Sequence, residues 1–153
     1  MVVLDVENLV TKEKKMINDE FLMREESYRL LGACFEVYNE QGFGLAEEIY
    51  QESLGIEFQL QVISNVEKPA LSCMYKDRVL RKVYVPDFVV FDKIILELKA
   101  VSALTEEHFG QLLNYMRISR SPIGYLANFG KRGGLEHKRF VLSEYWIESQ
   151  TKV

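Results

Sequence analysis

The sequence predicts an α/β protein in which a mixed sheet is flanked by helices. Three observations carry this reading. Two early stretches show apolar residues at helical spacing. Three runs rich in β-branched and aromatic residues follow, between about residues 70 and 100. A further helical stretch and two more strand-like runs complete the order α, α, β, β, β, α, β, β. No repeat, low-complexity segment or linker interrupts it. At 153 residues the chain is long enough to bury one core. Residues 1–22 read as a polar-flanked leader and residues 23–153 as a single domain.

The first helix is expected from about Glu25 to Gln41, with Tyr28, Leu31, Cys34, Phe35 and Tyr38 as its apolar stripe. Gln41-Gly42-Phe43-Gly44 ends it. The second runs from about Ala46 to Gln61, with Ile49, Tyr50, Leu54, Phe58 and Val62 on one face and Glu47 and Glu48 in a first turn that favours acids. The strands are read as Ala70–Tyr75, Val79–Phe91 and Ile94–Ala100, with Lys76-Asp77 as the first turn. A helix from about Thr105 to Ile118, N-capped by Thr105, precedes strands at Ile123–Phe129 and Lys138–Leu142.

Bulk properties narrow the function. No run of 18 apolar residues occurs, which predicts no membrane span. The acids in Met1-Val2-Val3-Leu4-Asp5-Val6-Glu7 do not suit a signal peptide, so a cytoplasmic protein is expected. Cys34 and Cys73 lie far apart and read as free, buried thiols; with only His108 and His137 to help, a zinc site lacks ligands. The net charge of −4 argues against a dedicated nucleic-acid binder, yet residues 1–70 carry −8 and residues 71–153 carry +4. Arg117, Arg120, Lys131, Arg132, Lys138 and Arg139 are the candidate phosphate contacts of the basic half, or its solubilising charge. Tyr145 and Trp146 permit a homodimer surface without requiring one.

Chemistry concentrates in Val85 to Ala100, where Asp87, Glu97 and Lys99 interrupt strand-like apolar sequence. Buried charge is costly unless paired or bound to metal. Strand alternation puts Glu97 and Lys99 on one face, about 7 Å apart. Whether Asp87 joins them depends on the hairpin. A regular two-residue turn at Asp92-Lys93 places the two acids on opposite faces; a three-residue turn or a bulge places them together, and the missing N–H of Pro86 predicts such an irregularity near Pro86 or Asp92. Together, they suit Mg²⁺ or Mn²⁺, which take oxygen ligands and can activate water toward phosphorus. The competing reading is a buried ion pair of Lys99 with Glu97 or Asp87. On the Thr105 helix, His108, Gln111 and Tyr115 line one face, either solvated or aimed at a site.

Pro86-Asp87, followed after nine residues by Glu97-Leu98-Lys99, resembles the PD-(D/E)xK signature of restriction-endonuclease-like nucleases. Gly44-Leu45-Ala46-Glu47-Glu48-Ile49-Tyr50 resembles the GxxExxY pattern of a family of small bacterial proteins in that superfamily, and Gln111-Leu112-Leu113-Asn114-Tyr115 resembles the QxxxY motif of its RecB-like branch. The resemblance covers about Arg24 to Leu142. It implies a restriction-endonuclease-like αβββαβ core with a metal at the fork of the sheet. It implies Asp87, Glu97, Glu47 and the Leu98 carbonyl as ligands of Mg²⁺ or Mn²⁺, and Lys99 as the catalytic lysine. It further implies that Gln111 and Tyr115 lie near the site and help place Lys99 or the nucleic-acid backbone; His108, on the same helix face by its spacing, is either a further nucleic-acid contact or a satisfied surface histidine. The expected function is a divalent-metal-dependent nuclease acting on DNA. The alternative is a non-catalytic nucleic-acid-binding or protein-interaction module that keeps the nuclease fold.

Overall fold

The computed structural model describes residues 22–151; the expected leader at 1–22 lies outside them except for Leu22, whose side chain joins the core. Eleven elements follow. Helices α1 (Arg24–Gln41) and α2 (Glu47–Leu60) lead into strands β1 (Asn65–Glu67), β2 (Leu71–Tyr75), β3 (Arg78–Tyr84), β4 (Phe88–Val90) and β5 (Ile94–Lys99). Helix α3 (Glu106–Ser119), strands β6 (Ile123–Asn128) and β7 (Glu136–Val141), and helix α4 (Ser143–Thr151) complete the chain. A five-stranded sheet runs β1-β4-β5-β6-β7, and β2-β3 form a separate two-stranded sheet. Among the described residues only the β5–β6 pair is parallel, with α3 as its crossover. This is the expected mixed sheet flanked by helices, consistent with a restriction-endonuclease-like fold.

The central strands carry the core. Ile94, Leu96 and Leu98 of β5 are buried with Leu30, Ala33, Cys34, Val37, Tyr50, Leu54 and Phe58 of α1 and α2. Ile95 on the opposite face packs with Leu112 and Met116 of α3 and Leu126 of β6. Gly124 of β6 lets α3 approach: a Cβ there would stand 2.5 Å from the Met116 sulfur.

Several expectations need correction. The run Val79–Phe91 is not one strand. It breaks between Tyr84 and Phe88, because Pro86 has no N–H for a ladder and Asp87 turns its backbone to other partners. The buried stripe of α1 is Ser27, Leu30, Ala33, Cys34 and Val37; of the expected stripe Cys34 is buried and Leu31 and Tyr38 pack against the core, but Tyr28 is 79% exposed and Phe35 41%. Two overlapping helical periods compete in this helix, and the smaller residues occupy the face against α2. Val62 also leaves the expected face of α2, beyond the helix end in a left-handed conformation (φ 56°). Cys73 is only half-buried, whereas Cys34 is fully buried and its thiol pushed up to about 12 by desolvation. Strand β1 and helix α4 were not expected: the first is three residues long and polar, the second has a weak apolar face. Trp146 of α4 packs on the core beneath Lys93, and Tyr145 lies beneath Arg120, so both are engaged within the chain. Among the described residues no helix is long and apolar enough to cross a membrane.

The ends of β5 and β6 are fastened together. The Phe129 amide donates to the Lys99 carbonyl, and the buried Asn128 side-chain oxygen accepts from the amides of Val101 and Gly130. A Cβ on Gly130 would meet backbone atoms of Ala100 and Val101 at 2.4–2.6 Å. Backbone cannot swing aside as a methionine tip can. Gly130→Ala should therefore lower stability by about 1–3 kcal/mol and displace the chain just after Lys99. Gly134→Ala, with nothing within 4 Å, should cost far less in the same denaturation assay.

Candidate metal centre

The turn joining β4 to β5 decides the site. Val90 pairs with Ile94, which leaves Phe91, Asp92 and Lys93 as a three-residue turn. Phe91 (φ 52°) and Asp92 (φ 62°) both adopt left-handed backbone to make it. The Phe91 amide is held by the Ser64 carbonyl and its ring by Arg29. The register from Val90–Ile94 to Phe88–Leu96, carried one residue further, sets Asp87 opposite Glu97.

The two acids then lock each other in place. The Asp87 amide donates to Glu97 Oε1 at 3.0 Å, and the Leu98 amide donates to Asp87 Oδ2 at 2.7 Å. The Asp87 carbonyl accepts from the Lys68 amide and from Gln51 Nε2, which also donates to Glu67. Asp87 is thus fixed through its amide, its carbonyl and one carboxylate oxygen. The second oxygen of each carboxylate makes no hydrogen bond within the described residues.

Glu47 arrives from the first turn of α2, and its helix start is built by the residues around it. Gly42 (φ 73°) and Gly44 (φ 86°) supply left-handed backbone that other residues adopt at a cost. One turn after Glu47, the Tyr50 hydroxyl donates to the Gly42 carbonyl and accepts from the Leu45 amide. Its ring stacks on Phe129 at 4.5 Å. The glycine-to-tyrosine spacing is therefore a device that fixes where Glu47 begins its helix. Glu47, Glu48, Gln51, Lys68 and Asp87 line a small cleft.

The electrostatics are those of an acid cluster short of positive charge. Burial, then the charge of Asp87, pushes Glu97 up to about 8. Burial raises Asp87 as well, against the lowering effect of the Leu98 amide and of Lys68 and Lys99. Burial and Asp87 raise Glu47. No ion pair within 4.0 Å joins any of these acids to Lys99 or Lys68 among the described residues, so the buried-ion-pair reading of Lys99 finds no support.

Lys99 instead donates from Nζ to Gln111 Oε1 at 3.3 Å, and Gln111 Nε2 donates to the Tyr115 hydroxyl at 2.7 Å. Tyr115 lies against Tyr84, ring centroids 3.5 Å apart. His108 is turned elsewhere. Its Nδ1 accepts from the Thr105 amide, and its own amide donates to Thr105 Oγ1, closing a capping box at the start of α3. The structure therefore joins Lys99, Gln111 and Tyr115 in one chain of contacts and leaves His108 in the helix cap. Leu98 enters through its amide.

Sequence reasoning missed Gln51, Lys68 and Tyr84. Gln51 acts through its side chain on the Asp87 backbone carbonyl and Lys68 through its own amide on the same atom, contacts that no spacing reveals. Tyr84 is buried beside the acids with a hydroxyl that finds no partner within the described residues. Its signal in the sequence is a tyrosine three residues before an acid, far too common to notice.

Among the described residues no three His, Cys, Asp or Glu side chains stand close enough to form a ready metal cage. The donor set nevertheless fits a hard cation. The buried carboxylate of Glu97 and the half-buried one of Asp87 face each other, each with one oxygen to spare, and Glu47 lies close enough to raise the proton affinity of Glu97. Mg²⁺ usually binds through one or two carboxylates and keeps several waters, so a closed cage is not required.

The folded-state shift of Glu97 gives a pH test. A carboxyl raised from 4.5 to about 8 holds in the fold a proton that the unfolded chain has released. Its contribution is fully present below pH 4.5 and is lost as pH rises through about 8. The raised Asp87 acts in the same sense. Metal-free protein should melt at a lower temperature at pH 8.5 than at pH 6, and Glu97→Gln should flatten that fall. An equally steep fall in Glu97→Gln would contradict the assignment.

Comparison with known proteins adds the following. The family model described as the PD-(D/E)XK nuclease superfamily matches residues 24–140. Among solved structures, the crystal structure of SSO0001 is similar, with a TM-score of 0.49 and 15% sequence identity. The match covers 69% of this chain and 60% of that one. No curated protein matches the chain.

Proposed function

The chain belongs to the PD-(D/E)XK nuclease superfamily, and from that premise we propose that it is a divalent-metal-dependent nuclease that hydrolyses phosphodiester bonds in DNA. One observation carries the reading. A strained three-residue turn puts the half-buried Asp87 opposite the buried Glu97, with Lys99 two residues further along the same face. Strain kept at such a place points to a functional constraint rather than to stability alone.

In this proposal Asp87 and Glu97 hold Mg²⁺ or Mn²⁺, with Glu47 and the Leu98 carbonyl completing the protein's donors. The cation, when bound, supplies Lewis-acid polarisation of the phosphoryl group and a lowered pKa for attacking water. Lys99, held by Gln111, orients that water or neutralises charge developing on the phosphoryl oxygens. Tyr115 fixes the Gln111 amide, so that Lys99 has one direction in which to point. Support for the GxxExxY assignment comes from the way Gly44 and Tyr50 place Glu47. Support for the QxxxY assignment comes from the Lys99–Gln111–Tyr115 chain. We take residues 23–153 as the nuclease-like domain, and His108 as an α3 capping residue that leaves DNA contact on this helix to Gln111 and Tyr115.

Purified protein incubated with Mg²⁺ or Mn²⁺ should cut single- or double-stranded DNA and lose that activity in a chelator. Asp87→Ala and Lys99→Ala should each reduce the rate by roughly 100-fold or more. Gln111→Ala should reduce it less, because it removes a support rather than a participant. Equal activity in wild type and variants, or none with any divalent cation, would overturn the enzyme and leave the non-catalytic module. Cutting of RNA alone would overturn the substrate.

A further inference from the structure

We propose that the β2–β3 hairpin is a DNA-contacting arm, whose basic surface follows the sugar-phosphate backbone and delivers a strand to the Asp87–Glu97 pair. The inference rests on the nuclease reading and names where its substrate is gripped.

The hairpin forms a two-stranded sheet separate from the five-stranded one. Every residue of β3 is exposed except Tyr84 at its foot. The hairpin rests on α3 through β2 and through Tyr84 against Tyr115, which leaves its outer surface open to a partner. From Leu71 to Tyr84 it carries Lys76, Arg78, Arg81 and Lys82 against the single acid Asp77, a balance of +3 in a chain of −4. Arg78, Arg81 and Lys82 make no ion pair or side-chain hydrogen bond among the described residues.

The cations proposed from sequence are mostly occupied. Arg120 pairs with Glu148 and Lys131 with Glu136. Arg139 donates to the Leu22 carbonyl, Arg132 lies over Phe43 and Lys138 over Phe109. Lys76 of the hairpin lies over Tyr75 in the same way, but Arg78, Arg81 and Lys82 remain available to phosphates.

Placement agrees with charge. Tyr84 ends β3, lies against Tyr115 and is followed three residues later by Asp87. A strand lying on the ribbon would pass from its cations to the acids without leaving the surface. A two-stranded ribbon also matches the roughly 12 Å width of the DNA major groove. Exposed Tyr75, Val79 and Val83 supply apolar contact for sugars and base edges. A second copy of the chain is the poorer occupant: in a two-fold dimer the same patch meets itself, and +3 would face +3.

The test measures binding of a fluorescent 20-base-pair duplex by anisotropy in Mg²⁺, using full-length Asp87→Ala protein so that cutting does not intervene. Adding Arg78→Ala, Arg81→Ala and Lys82→Ala together should weaken binding at least tenfold. It should also flatten the slope of log affinity against log salt by about 2–3, close to one unit for each phosphate that is no longer neutralised. Arg132→Ala with Lys138→Ala should leave both nearly unchanged. The single charge reversal Arg81→Glu gives a second variant should the triple fail to fold, and should weaken binding in the same direction. Unaltered affinity in the hairpin variants, no binding by the parent protein, or a dimer in light scattering that these substitutions dissolve would each overturn the arm. Hairpin-dependent binding without cutting by wild type sinks the nuclease reading alone. Cutting with hairpin-independent binding sinks the arm alone.

Discussion

The structure depends on one reciprocal contact, in which the backbone of Asp87 holds Glu97 while the backbone of β5 holds Asp87. Each carboxylate gives one oxygen to an amide across the strand pair and keeps one free. Desolvation raises the proton affinity of both, and each makes the other's ionisation harder. Such an arrangement stores a demand for positive charge. Lys99 lowers the proton affinity of both acids but forms no ion pair with either within 4.0 Å, and its ammonium donates to Gln111 instead. The fold thus keeps an acid pair and a lysine near one another without letting them cancel.

Everything around that contact serves to hold it. The three-residue turn sets the parity that brings the acids to one face. Pro86 ends the β3 run, and Asp87 is free to use its backbone on Glu97, Lys68 and Gln51. Gly130 and Asn128 clamp the far end of β5, where Lys99 leaves the sheet. Tyr50 pins the loop from which Glu47 starts its helix.

Much of this was legible in the sequence, and for identifiable reasons. Alternation put Glu97 and Lys99 side by side, because the period of a strand is a covalent fact. Hairpin parity reduced the role of Asp87 to a choice between two turns. It could not choose, because Phe91 in a left-handed conformation is a cost that only tertiary contacts with Ser64 and Arg29 offset. Helical spacing put His108 on the same face as Gln111 and Tyr115, but could not foresee that its imidazole would close the cap of its own helix. The stripe of α1 was misread in part for a similar reason: two apolar periods overlap, and the close approach of α2 selects Leu30, Ala33 and Val37 over Tyr28 and Phe35, while Cys34 is buried as expected. Gln51, Lys68 and β1 act on or through backbone and loop geometry, where side-chain patterns carry no information.

The central claim is that the Asp87–Glu97 pair holds a divalent cation. Crystals of the protein soaked in Mn²⁺ and measured at the manganese absorption edge test it most directly. The account predicts one anomalous peak between the two carboxylates, at roughly 2.0–2.3 Å from an oxygen of each, absent from Asp87→Ala crystals treated in the same way. A peak that persists without Asp87, or no peak between Asp87 and Glu97, would contradict it.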